Sequence, residues 1–170
     1  YKKLLRQFSS LGLIMKEIVE GGDILARVEK SIEIKARPEK VWEMLAMDRL
    51  PEWMDILEVQ SAKYISEVRK PEDKYEVGAS AHIIEKRWEY DLNVIESLEN
   101  EKIAVRSKGK YIYTFTYVLK PVDSGTRLTW VGEIEMPWGI FGKALSGMFS
   151  RTAEKELGKA LEKLKSILEK

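Results

Sequence analysis

The chain has 170 residues, room for one domain with a real core and a short appendage, and its 29 Lys and Arg against 28 Asp and Glu leave a net charge of +1. That balance supplies no global field toward nucleic acid, so no nucleic-acid partner is expected. The absence of cysteine removes disulfides, thiolate catalysis and cysteine metal sites, and a single histidine is too few for a zinc or iron centre; no metal or cofactor is called for.

With 34% charged residues, rich in Lys and Glu, the composition is that of heat-adapted intracellular proteins, and a cytoplasmic, thermophilic protein is expected. No apolar run approaches bilayer length, so stable membrane insertion is not expected.

Residues 1–22 place Leu4, Phe8, Leu11, Met15 and Ile18 in a helical stripe, with Gly21-Gly22 as its stop. This predicts an N-terminal helical extension, residues 1–22, docked on the protein's own body or on a second copy as a homodimer contact, followed by one domain over residues 23–170. The start at Tyr1 rather than Met suggests that the first residues are truncated or appended.

From Ile24 to Ala36 the pattern alternates, with Val28, Ile32 and Ile34 on one face and Arg27, Glu29, Glu33 and Lys35 on the other, which predicts a half-buried strand. Pro38 fits a first helical position, and Val41, Trp42, Leu45 and Ala46 follow at helical spacing up to a break at Leu50-Pro51. A second short helix or turn is expected around Trp53, Met54, Ile56 and Leu57.

Strands separated by polar turns come next. They are expected over 57–68, 77–88, 90–98, 102–107, 111–120 and 126–136, and Asp123-Ser124-Gly125 is a hairpin signal.

The stretch from Pro137 to Lys170 predicts one long amphipathic helix, about 45 Å for roughly 30 residues. Phe141, Leu145 and Met148 lie on one side, and Leu157, Ala160, Leu164 and Leu168 about 100° around. The second half is expected to anchor the helix and the first half to face something else, with a bend or loose turn near Ser146-Gly147 and Ser150. Meandering strands closed by one long helix indicate an α+β fold with the helix on one antiparallel sheet.

This order, with VEKSIEIKARPEKVWEML over 28–45, LPEW over 50–53, SGTRLTWVGEIEMPWG over 124–139 and LGKALEKLKSILEK over 157–170, resembles the helix-grip, or START/Bet v 1-like, superfamily, and in particular its polyketide cyclase/dehydrase and lipid-transport branch. The likeness spans about residues 24–169. It implies a curved seven-stranded antiparallel sheet wrapped around the long C-terminal helix, two short helices after the first strand, and a cavity for an apolar ligand. Members of that superfamily include carriers, receptors, cyclases, hydrolases and co-chaperones, so the fold leaves the activity open.

Tyr111, Tyr113, Phe115 and Tyr117 share one face of a strand and, with Trp88, Tyr90 and Trp130, suit the concave side of such a sheet; they either line a pocket or fill the core. Trp53, Leu92 and Met136 are placed with them, and Phe141, Leu145 and Met148 on the helix opposite. Strand alternation groups His82 with Ile84 and Trp88 on the same side, as a ligand-orienting or structural histidine. Glu85, Arg87, Glu89 and Asp91 then read as the solvated outer face, and an inward charge such as Lys86 would be a candidate headgroup anchor.

No phosphate loop, nucleophile elbow or metal-ligand spacing is present. The leading reading is therefore a non-catalytic carrier or binding protein for a small hydrophobic ligand such as a lipid, isoprenoid, quinone or polyketide-like compound. The alternatives are a cyclase or dehydratase using the same cavity, with His82 or a tyrosine moving protons, and a co-chaperone or assembly-factor module.

Overall fold

The computed structural model describes the backbone of residues 18–20, 23–54, 58–86, 89–108, 112–136 and 143–170, and the side chains of 27–54, 58–86, 89–108, 112–133, 155 and 157–170. In chain order its strands are β1 (Ile18–Glu20), β2 (Asp23–Ile34), β3 (Val59–Tyr64), β4 (Ser80–Glu85), β5 (Glu89–Leu98), β6 (Lys102–Lys108), β7 (Ile112–Val122) and β8 (Gly125–Met136). Its α-helices are α1 (Pro38–Met44), α2 (Leu50–Trp53) and α3 (Lys143–Leu168).

The strands form one antiparallel sheet in the order β1-β2-β8-β7-β6-β5-β4-β3. Seven of them, β2 to β8, make the curled half-barrel expected of a helix-grip fold, and β1 adds an eighth strand beyond β2. Bulges between Val94 and Glu96 on β5 and between Val59 and Ser61 on β3 break the regular ladder, and such insertions bend and twist the strand that carries them.

Residues 18–20 therefore correct the sequence reading, which placed them in a helix. Ile18 and Val19 are β-branched, and the register Ile18↔Leu25, Val19↔Ile24 lets them satisfy their backbone groups along the edge of β2. The remainder of the expected N-terminal helix, residues 1–17, lies outside the described residues.

After β2 the chain turns at Ala36 and enters α1 with Pro38 in its first turn, as the sequence indicated, where the missing N–H costs nothing. The first helix ends earlier than expected, at Met44. Pro51 opens α2 rather than closing α1, since its ring suits a first turn equally well. A 3-10 turn, Met47–Arg49, joins the two helices, and the indole of Trp53 donates to the Met44 carbonyl at 3.0 Å, tying α2 back onto the end of α1.

The hairpin between β7 and β8 turns on Asp123-Ser124, with Val122 paired to Gly125. Gly125 has φ +142°, and a Cβ there would collide with the Ile34 carbonyl oxygen and stand 2.8 Å from the Ala36 nitrogen. Only glycine lets this turn approach the end of β2, where the Thr126 hydroxyl then donates to the Ala36 carbonyl at 2.7 Å.

The core lies between the concave side of the sheet and the helices. From α3 it receives Leu157, Ala160, Leu161 and Leu164, each at most 1% exposed; Leu161 was not in the stripe read from the sequence. At the end of that helix a Glu169 carboxylate accepts from the Lys35 N–H at 2.7 Å. Among the described residues no helix is long and apolar enough to cross a membrane.

Candidate ligand-binding site

The concave face is assembled by register. Tyr117 pairs with Trp130 and with Ile103, Phe115 with Val105, and Leu92 with Ser107 and Ala81, so these side chains share one side of the sheet. Their rings form a continuous aromatic path: Tyr90 to Tyr113 at 6.2 Å between centroids, Tyr113 to Phe115 at 6.4 Å, Phe115 to Trp130 at 5.8 Å, and Trp130 to both Tyr117 at 5.7 Å and Trp53 at 6.1 Å.

The two ends of the path differ. Trp53, Trp130, Tyr117 and Phe115 are buried, and the space left between Tyr117, Phe115, Val105, Leu92, the Tyr90 ring and the α1–α2 turn is about 10 Å³, room for roughly one water. The interior is filled core from Trp130 as far as the inner face of the Tyr90 ring. The Trp130 indole N–H within it finds no acceptor among the described residues, and burial holds the Tyr117 phenol far above its ordinary pKa. Toward the other end Tyr113 and Tyr90 are only partly buried.

At that second end Glu85, the last residue of β4, turns inward. The Tyr90 hydroxyl donates to its Oε1 at 2.6 Å. Burial pushes the Glu85 carboxyl up to about 7, opposed by the Tyr90 hydrogen bond and reinforced by the Glu58 charge. The same burial, with Glu85 alongside, raises the Tyr90 phenol well above 10. On the neighbouring strands, the Tyr113 N–H donates to the buried Ser107 hydroxyl at 2.8 Å.

His82 and Ile84 are not on this face, and the sequence reading is corrected in phase. On β4 the buried residues are Ala81 and Ile83, whereas Ile84 is 37% exposed. The His82 Nδ1 lies 2.8 Å from the Asp91 carboxylate and its Nε2 3.8 Å from that of Glu89, all on the outer surface. Ile83 and Ile84 are adjacent, so apolarity on β4 fits either phase. The register decides it, because Ala81 opposes Leu92 and Ile83 opposes Tyr90, whose strand alternates cleanly with Glu89 and Asp91.

The inward carboxyl is therefore Glu85, read from the sequence as solvated, and Lys86 points out to pair with Glu58 at 2.9 Å. The signal that could have found it was the alternation on β5 carried across the hairpin. Of the other candidates, Trp53, Tyr90, Leu92, Tyr113, Phe115 and Trp130 come together on the concave side. Trp88, Tyr111 and Phe141 lie outside the described residues, as do the side chains of Met136, Leu145 and Met148. Backbone register alone places Met136 opposite Ile24, and α3 is helical through Ser146-Gly147 and Ser150.

A second concavity of about 550 Å³ opens on the outside, between α1 and the 3-10 turn Pro71–Tyr75. Trp42 stacks there on Tyr75 at 5.1 Å, and the rim carries Glu39, Glu43, Glu72, Glu76 and Glu99. Among the described residues no group of three or more His, Asp or Glu is placed to hold a metal ion.

A family model described as polyketide cyclase/dehydrase and lipid transport matches residues 26–169. No curated protein matches the chain. Among solved structures, a protein of unknown function from Staphylococcus aureus, SA2116, is similar with a TM-score of 0.68 at 12% identity, covering 86% of this chain and 95% of its own. TTHA0849 from Thermus thermophilus is similar at 0.58 and 20% identity, covering 85% and 96%. The Aha1 dimer from Colwellia psychrerythraea gives 0.58 and 17% identity, with the same coverage of 85% and 96%. At these identities the likeness is one of fold.

Proposed function

The chain belongs to the polyketide cyclase/dehydrase and lipid transport family, and on that premise we propose that it binds or carries a small hydrophobic molecule against the Tyr90–Tyr113–Phe115 end of its concave face. The observation that carries this reading is the grading of the aromatic path. Its Trp53–Trp130 end is fully buried, while at the other end Tyr113 and Tyr90 are partly exposed and the path ends at a carboxyl group. Apolar area at the open end would supply most of the affinity, at about 25 cal/mol per Å² removed from water, less the cost of immobilising the ligand.

Native mass spectrometry of the purified protein tests this. The expected result is a co-purified apolar compound, or uptake of one added as a solubilised mixture of isoprenoids, quinones and fatty acids. A spectrum of bare protein under both conditions would contradict it.

A second reading, proton-transfer chemistry in the same place, is favoured by a carboxyl that titrates near neutrality beside a tyrosine. His82 cannot serve it from the outer face, so the proton mover would be Glu85. Retained binding with turnover of the bound compound lost in Glu85→Gln would identify an enzyme, since the amide keeps the hydrogen bond and cannot pass a proton.

A further inference from the structure

We propose that the outer concavity between α1 and the Pro71–Tyr75 turn is a docking groove for a basic segment of a partner protein, one that presents arginine side chains beside a small apolar one. The groove shares no residue with the Tyr90–Tyr113 end of the concave face, and the inference stands without the ligand proposed there.

Three elements shape the groove: α1 contributes Trp42, the turn and the residues after it contribute Tyr75 and Val77, and the end of β5 contributes Ser97, around about 550 Å³. Its floor is aromatic, with Trp42 stacked on the half-buried Tyr75 at 5.1 Å between centroids. Two large apolar side chains stand exposed at its edge. Val77, which lines the groove, is 65% exposed, and Leu98, between the lining residues Ser97 and Glu99, is 55% exposed.

The charge around this apolar floor is all of one sign. The lining includes Glu39, Glu43, Glu72, Glu76 and Glu99 and no lysine or arginine, in a chain whose net charge is +1. Glu43 is paired with Lys40, and the other four make no ion pair among the described residues. Exposed carboxylates elsewhere do find cations: Glu29 pairs with Arg27, Glu33 with Arg127, Glu58 with Lys86 and Glu96 with Lys102. The groove is therefore complementary to a positively charged partner and repels an acidic one.

The exposure of these groups decides what kind of cation fits. A small free cation gains little from carboxylates that water also solvates, and it leaves Val77 and Leu98 uncovered. A polypeptide segment reaches several carboxylates at once, lays a planar guanidinium over the Tyr75 ring, and covers the two apolar side chains with one of its own.

The test is fluorescence anisotropy of a labelled peptide, Gly-Arg-Leu-Arg-Arg-Gly, titrated with the full chain. We expect saturable binding that weakens severalfold between about 50 and about 300 mM salt, none by a counterpart with glutamate in place of arginine, and severalfold weaker binding when the leucine becomes serine. Glu39→Gln with Glu76→Gln, both at exposed positions, should raise the Kd about tenfold, with thermal unfolding as the check that the fold is kept. Glu29→Gln with Glu162→Gln, which removes two exposed carboxylates outside the groove, should leave it within about twofold.

Absence of peptide binding at the lower salt, equal weakening by the two double variants, or spermine binding as tightly as the peptide overturns the proposal. So does a dimer of the protein alone, seen by sedimentation, that is lost in Glu39→Gln with Glu76→Gln, since a second copy would then own the groove. Each of these results leaves the hydrophobic-ligand reading untouched.

Discussion

Glu85 is a carboxyl group drawn partly out of water, with the Tyr90 hydroxyl as its donor and the Glu58 charge nearby, and the resulting conflict is measurable without any ligand. Its carboxyl rises from an ordinary 4.5 to about 7 in the folded protein, chiefly through burial. Below pH 4.5 the group is protonated in both folded and unfolded chains. As pH climbs from 4.5 to 7 the unfolded chain ionises first, so stability present at low pH is lost across that window and the loss levels off above it. Thermal unfolding should therefore show Glu85→Gln gaining on the wild type between about pH 4.5 and 7.5, with a constant gap beyond. Parallel curves at every pH would place Glu85 in solvent. His82 is the counter-case. Its partners Asp91 and Glu89 are surface carboxylates, 40% and 75% exposed, so His82→Ala should cost roughly 1 kcal/mol or less and leave binding of an apolar ligand unchanged. A binding defect in that variant would return it to the concave side.

At the scale of elements, the fold hangs on two junctions that can each be broken by a single substitution. The β7–β8 hairpin reaches the end of β2 only because Gly125 has no side chain. Gly125→Ala adds strain at φ +142° and a clash with the Ile34 carbonyl, and should destabilise by about 1–3 kcal/mol in denaturant unfolding. A neutral result would mean that the turn relaxes freely. The second junction is α3, whose C-terminal half seats Leu157, Leu161 and Leu164 in the core. Leu161→Ala should cost about 2–5 kcal/mol, a cost within about 0.5 kcal/mol showing instead that this half of the helix is not the anchor. These two elements were unequally legible. Asp123-Ser124-Gly125 names its turn in three residues, and the stripe of α3 repeats over several turns, so local chemistry determined both. The boundary between α1 and α2 was misplaced because a proline next to Leu50 fits a helix start as well as a helix stop, and only the packing of Trp53 on Met44 chooses between them. For β1, three residues whose partner strand lies across Gly21-Gly22 carry too short a pattern to separate a strand from the end of a helix.

Across the whole molecule, the order of elements and the curled antiparallel sheet were readable because alternation on β2, β5, β7 and β8 is unambiguous and a single long amphipathic helix needs a sheet to cover it. The inward side of β4 was not, since His82, Ile83 and Ile84 allow either phase and the answer resides in cross-strand register. That one-residue phase replaces an imidazole by a carboxyl as the polar group of β4 that faces inward.

Both readings of the concave face, carrier and enzyme, require an apolar molecule to lodge at its Tyr90–Tyr113 end. A titration of isotope-labelled protein with 2-acetylnaphthalene, followed by amide and methyl NMR shifts, addresses that requirement most directly. Saturable shifts should concentrate at Tyr90, Leu92, Val105, Tyr113 and Phe115, with those around His82 and Ile84 unmoved. Shifts gathered on the outer face, or none that saturate, would contradict it.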